Sequence, residues 1–149
     1  MHTSRNDIEA LNGLIETLID SADGFERSAE VTENASLKSQ FERLAGERRR
    51  IVEGFRARVR QLGGEPEDEG SLLAAAHRRF LDLRSAVRNG SEAALNEIDR
   101  GETYLESRFE TALQSGSLSP ETAALIREGW SQASSKHERM KQLRDALAA

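Results

Sequence analysis

Apolar residues recur along the chain at alternating steps of three and four, the spacing of helices that bury one face. Ile8, Leu11, Ile15, Leu18, Ala22, Phe25 and Ala29 form one unbroken seam. Leu37, Phe41, Leu44, Ile51, Phe55 and Leu62 form a second, and Leu73, Ala76, Phe80, Leu83 and Val87 a shorter third. Ile98, Leu105, Phe109 and Ala112 make a fourth; Ala123, Ile126, Trp130, Ala133, Met140 and Leu147 make a fifth. Breaks separate them at Asn34 to Ser36, at the turn-rich run Leu62 to Gly70, at Asn89-Gly90-Ser91 and at Ser115 to Ser119. Ser119 is placed to cap a helix whose first residue is Pro120. The pattern predicts helices over 5–32, 36–62, 70–88, 91–115 and 119–147, with ends set to within ~2–4 residues. No stretch alternates as a strand would.

Four of these helices are long and of similar length, ~40 Å each. A short connection joins the first two, and another joins the last two. The middle connection is long and holds its own helix. The expected fold is therefore all-α: a four-helix bundle with one long crossover containing an extra helix. A five-helix array is the competing arrangement. At 149 residues the chain reads as a single domain, 1–149, large enough to bury a core without covalent staples.

Composition then narrows the chemistry. There is no Cys, which excludes disulfides, thiolate metal sites and a cysteine nucleophile. Lys plus Arg is 21 against 26 Asp plus Glu, a net charge of −5 that argues against nucleic acid as the main partner. Apolar runs are too short to span a membrane, and residues 1–7 lack the apolar segment of a signal peptide. The expected location is cytoplasmic.

The informative positions are the polar ones inside the seams. The second seam passes through Arg48 between Leu44 and Ile51, and the fourth through Glu102 between Ile98 and Leu105. The fifth passes through His137 between Ala133 and Met140. Arg48 and Glu102 lie near the midpoints of their helices and His137 about one turn beyond its own. The three are expected to meet in one buried layer. Buried charges must neutralise one another, so Arg48 and Glu102 should pair, two-pronged where geometry allows, with His137 on Glu102, water or a carbonyl. Such a layer reads either as a structural device that fixes register or as a ligand site. Arg48 weighs against a cation, because its charge is permanent. Glu16, about 120° from its apolar axis, reads as solvated, and Glu47, about 60° away, as a border position.

Several runs carry a resemblance. They are Leu11-Asn12-Gly13-Leu14-Ile15-Glu16 and Asp20 to Phe25 in the first helix, then Leu62-Gly63-Gly64-Glu65-Pro66. His77 to Leu83, Arg100-Gly101-Glu102 and His137-Glu138-Arg139 complete the set. Together they resemble a bacterial domain-of-unknown-function family of ferritin-like four-helix-bundle proteins, within the ferritin and rubrerythrin-like superfamily. The likeness covers nearly the whole chain, and no single piece of it is specific. It implies a ferritin-like bundle. It also implies a place for a di-iron centre, built by four carboxylates and two imidazoles from the core helices. Residue by residue that centre is degenerate here. Leu18 stands where the first Glu belongs, Arg48 and Ile51 replace the Glu and His of the second helix, and Leu105 follows Glu102 in place of a second acid. Ser134 replaces the last Glu. Only Glu102 and His137 remain of the implied ligands.

The expected function is a non-catalytic bundle protein, with a stress role suspected in the family, and without a cofactor. The alternative is a metal-binding oxidase or iron-handling protein holding iron or manganese; Glu16, Glu47, Glu102 and His137 are its candidate ligands. A phosphotransfer module built on His77 is a weaker third reading, since bulky Arg79 and Phe80 follow it. The basic run Arg48-Arg49-Arg50 reads as an ion-paired helix surface. Pairing of bundles through an outer face makes a homodimer the expected partner.

Overall fold

A computed structural model describes residues 4–68, 91–132 and 136–148, side chains at 91, 92 and 136 excepted. The predicted helix 70–88, with His77, lies outside the described residues. All the described secondary structure is helical: α1 (Ser4–Val31), α2 (Ala35–Gln61), α3 (Ser91–Gln114), α4 (Pro120–Gln132) and α5 (Lys136–Ala148). None of these helices is long and apolar enough to cross a membrane. The expected fifth stretch is thus described as two segments, α4 and α5, on either side of residues 133–135.

The helix ends follow their sequence signals. Asn34 caps α2: its Oδ1 accepts from Leu37 N at 2.9 Å, while its Nδ2 donates to Ala146 O at 3.2 Å and ties this corner to α5. α2 stops in a two-bond cap, with Gly63 N donating to Arg60 O (3.0 Å) and Gly64 N to Val59 O (2.9 Å). Gly63 holds φ at +84°, a left-handed conformation that favours glycine. Gly64 is required for another reason: a Cβ there would sit 2.8 Å from Ile8 Cδ1. The outgoing chain is then strapped to α1 by Asn12, which donates to Glu65 O (3.1 Å) and accepts from Glu67 N (2.8 Å). At α4, Ser119 Oγ accepts from Thr122 N at 3.3 Å, and Pro120 opens the helix.

End-to-end contacts set the topology. The start of α1, the end of α2 and the start of α4 meet at one end, where Asp7 binds Ser119 and Thr122 and Arg58 binds Thr122. The α1–α2 corner, the start of α3 and the end of α5 meet at the other, where Ala29, Leu37, Ile98 and Ala146 cluster. α2 and α3 therefore run in the same direction, and residues 62 and 91 lie at opposite ends of the bundle. α1 packs on α2 and α3, and α4 and α5 both pack on α2 and α3, so together they act as the fourth rod.

The core is divided lengthwise. At the Asp7 end, Leu11, Ile15, Leu18, Ile51, Phe55, Leu105, Phe109 and Ile126 form one apolar cluster. Phe109 stacks on Trp130 there, with ring centroids 4.7 Å apart. At the far end Ala22, Phe25, Phe41, Leu44, Ile98, Met140 and Leu143 form the other, with Phe25 and Phe41 stacked at 5.9 Å. On α2 the boundary between the clusters falls between Ala45 and Ile51, and on α3 between Ile98 and Leu105. Charged residues fill that boundary.

Candidate functional site

Arg48 is fully buried at the division of the core. Its Nη2 donates to both oxygens of Glu102, at 2.8 and 2.7 Å, and its Nη1 donates to Glu47 Oε1 at 2.9 Å. The pair with Glu102 is therefore one nitrogen shared by two oxygens, not the two-pronged fork anticipated from the sequence. The other prong has turned to Glu47. Glu102 is 3% exposed and Glu47 9%, so neither carboxylate is held mainly by water.

A second guanidinium completes the layer. Arg139 is 2% exposed, and its Nη2 lies 2.7 Å from Glu102 Oε2. The contact is an ion pair by proximity, because the N–H is not aligned as a hydrogen bond: Arg139 Nη2 and Nε and Arg48 Nε are buried without an acceptor. The Arg139 guanidinium also lies over the Trp130 ring, 5.5 Å from its centroid, which supplies a cation–π contact on its apolar side. Burial pushes Arg139 below its ordinary pKa, and the attraction of Glu102 opposes that shift. Arg139 stays cationic at physiological pH all the same, as guanidinium groups do. Two cations and two anions make the layer neutral as a set.

Two of the sequence expectations need correction here. His137 does not join the layer: it is exposed. The buried positions of α5 are not the ones that the count from α4 predicts. The inward face of α5 is set by Met140, Leu143 and Ala146. At ~100° per residue, Arg139 lies roughly 40° from Leu143, whereas His137 lies roughly 120° away. Glu47, read as a border position, is buried because Arg48 Nη1 draws it in. Glu16 is half-buried on α1, outside this set of contacts. Among the described residues no three His, Asp or Glu side chains converge in a way that could hold a metal ion.

A second buried charge lies at the end of the bundle and went unread in the sequence. Asp7 is 2% exposed. Its oxygens accept from Ser119 N (3.0 Å), Ser119 Oγ (2.6 Å) and Thr122 Oγ1 (2.7 Å). Arg58 Nε donates to Thr122 Oγ1 at 3.2 Å. Desolvation works to raise the Asp7 pKa. The Ser119 and Thr122 hydrogen bonds and the nearby Arg58 charge outweigh it and hold the carboxyl below its usual value. Only Ser119-Pro120 was a visible signal for this knot, and it marked the helix start without its partner.

The chemistry open to the central layer follows from its occupancy. Glu102 has both oxygens engaged by cations. A divalent cation would have to displace two permanent positive charges to reach the carboxylates.

Among curated proteins no relative matches the chain. A family model described as a domain of unknown function (DUF2383) matches residues 6–115. That span holds Asp7, Glu47, Arg48 and Glu102, and it stops before Ser119, Thr122 and Arg139. It covers well over half of the 149 residues, and the chain belongs to this family, DUF2383.

Proposed function

We infer that the protein is a non-catalytic ferritin-like bundle whose di-iron position has been taken over by charged side chains. The reading combines the end-to-end crossover between α2 and α3, which is the connectivity of ferritin-like folds, with the ligand pattern of the sequence. Arg48 stands at the depth where the superfamily places a metal-binding Glu. A guanidinium there gives Glu102 the counter-charge that a cation would otherwise supply. The observation that carries the reading is the double engagement of Glu102 by Arg48 and Arg139 at 2.7–2.8 Å. In this view the layer holds the register of four helices, and work in a stress response, as suspected for the family, would be done through the outer surface.

Elemental analysis of protein purified without chelator tests the reading. The expected result is iron and manganese well below one ion per chain, unchanged after incubation with either metal under reducing conditions. Stoichiometric metal that resists dialysis, together with its loss in a Glu102→Gln variant, would overturn it in favour of an oxidase or iron-handling protein.

A further inference from the structure

A groove of about 320 Å³ runs between the first half of α1 and the last turns of α3, well away from the buried layer. Its volume lies at the small end of ligand sites. The Arg108 guanidinium lines it beside Gly13, so close that a Cβ on Gly13 would lie 3.0 Å from Arg108 Nη2. Among the described residues Arg108 has no ion-pair or hydrogen-bond partner. Glu9, the acid on the rim, is taken by Arg5 at 3.2 Å. Thr111, one turn on from Arg108 along α3, lines the same space, with Ser115 and Ser117 beyond it; Ser115 Oγ donates to Ala112 O at 2.9 Å and lies 3.1 Å from Ser117 Oγ.

Gly13 makes this arrangement informative. It lies in the interior of a 28-residue helix, where alanine would be the more stable choice. Its φ is not left-handed, so no backbone conformation requires it. What its missing side chain supplies is room for the Arg108 head against α1. We propose that this groove binds a small oxyanion, the carboxylate or phosphate of a small molecule, with Arg108 as the charged anchor and the hydroxyl of Thr111 as a further donor. A guanidinium without a protein counter-ion, beside a hydroxyl in a concave site, is the chemistry that recognises such a group.

The test titrates the isotope-labelled full chain with sodium phosphate and, separately, with sodium succinate, at neutral pH and constant ionic strength, and follows the amide resonances. The expected result is saturable shifts centred on Gly13, Thr111, Ser115 and Ser117. Response to phosphate alone assigns a phosphate ligand, to succinate alone a carboxylate, and to both a general oxyanion site. Arg108→Gln should weaken binding about tenfold or more while leaving the melting temperature unchanged. Gly13→Ala should raise the melting temperature and still weaken binding, because the new methyl displaces Arg108. Failure of both anions to give saturable shifts, or an Arg108→Gln variant that binds like the parent, would sink the proposal.

Discussion

Among the described residues carboxylates are buried at two places, and they are satisfied in different ways. In the middle of the core Glu102 and Glu47 face two guanidinium groups, and three of the guanidinium nitrogens are left without an acceptor. At the end of the bundle Asp7 faces neutral donors, two hydroxyls and one backbone N–H, and each of these bonds is 3.0 Å or shorter. The first arrangement balances charge with charge and leaves donors unmet. The second spreads one negative charge over aligned dipoles at the start of a helix, where the backbone favours an anion. Charge pairing therefore makes the centre sensitive to the loss of any one member, whereas the end knot rests on aligned hydrogen bonds to one ionised carboxylate, helped by the nearby Arg58 charge.

The largest expected effect separates the two modes directly. Arg48→Ala leaves both Glu102 and Glu47 short of a counter-ion and should destabilise by about 3–5 kcal/mol in chemical denaturation. Replacing only Arg48 and Glu102 by Met and Leu does not cure this, because Arg139 then stays buried without its acid. The fourfold change Arg48→Met, Glu102→Leu, Arg139→Met and Glu47→Leu should recover most of the loss, with a net change of ~1–2 kcal/mol at most. An Arg48→Ala variant that melts like the parent would show the layer to be open to water, and the contrast would collapse.

Next in size is the end knot. Asp7→Ala removes a charged acceptor from three donors and should cost about 2–3 kcal/mol. Its pH dependence sharpens the comparison. The folded pKa of Asp7 lies below the ordinary value of 3.8. Its contribution is therefore complete above that value and is lost as pH falls through the folded pKa. In denaturation measured from neutral pH downward, the parent should lose its advantage over Asp7→Asn only in that acid window. Glu26, lowered chiefly by the hydrogen bond from Arg49, adds a further acid loss common to both proteins. An advantage that instead faded well above pH 3.8 would mean that Asp7 is not held as described.

The smallest effect is expected at the surface. Arg49 reaches Asp23 and Glu26 at 2.9 and 2.8 Å, but all three side chains are more than 40% exposed. Arg49→Ala should change stability by no more than about 1 kcal/mol, and high salt should erase the difference. A cost as large as that of Arg48→Ala would remove the distinction between buried and exposed pairs on adjacent residues of one helix.

How much of this was legible follows from the range of each signal. Arg48 and Glu102 could be read because each interrupts an apolar seam within a continuous helix, where a count of threes and fours fixes the inward face. His137 was misplaced and Arg139 missed for one reason: the count was carried from Ile126 and Trp130 over more than three turns, and the buried face of α5 is the one that Met140, Leu143 and Ala146 define. Met140, Leu143 and Ala146 taken alone would have pointed to Arg139. Glu47 could not be settled by angle, because a border residue goes inward only when a neighbour's guanidinium draws it there. Asp7 carried no local signal at all, since its partners lie more than a hundred residues away in sequence. The groove beside Gly13 was likewise illegible, for it exists only where α1 and α3 come together.

That separation also orders the assembly of the chain. The α1–α2 hairpin closes over a three-residue turn, Thr32 to Asn34, and is the cheapest long contact to form. The Asp7 knot closes a loop of 112 residues, through its bond to Ser119, so its entropy is recovered only once the fourth rod has docked. Asp7 is thus a late latch: weakening it should leave the refolding rate almost untouched and appear as faster unfolding. The feature that ties the first turn of α1 to the start of α4 sets how long the finished bundle lasts, and has little influence on how quickly it is made.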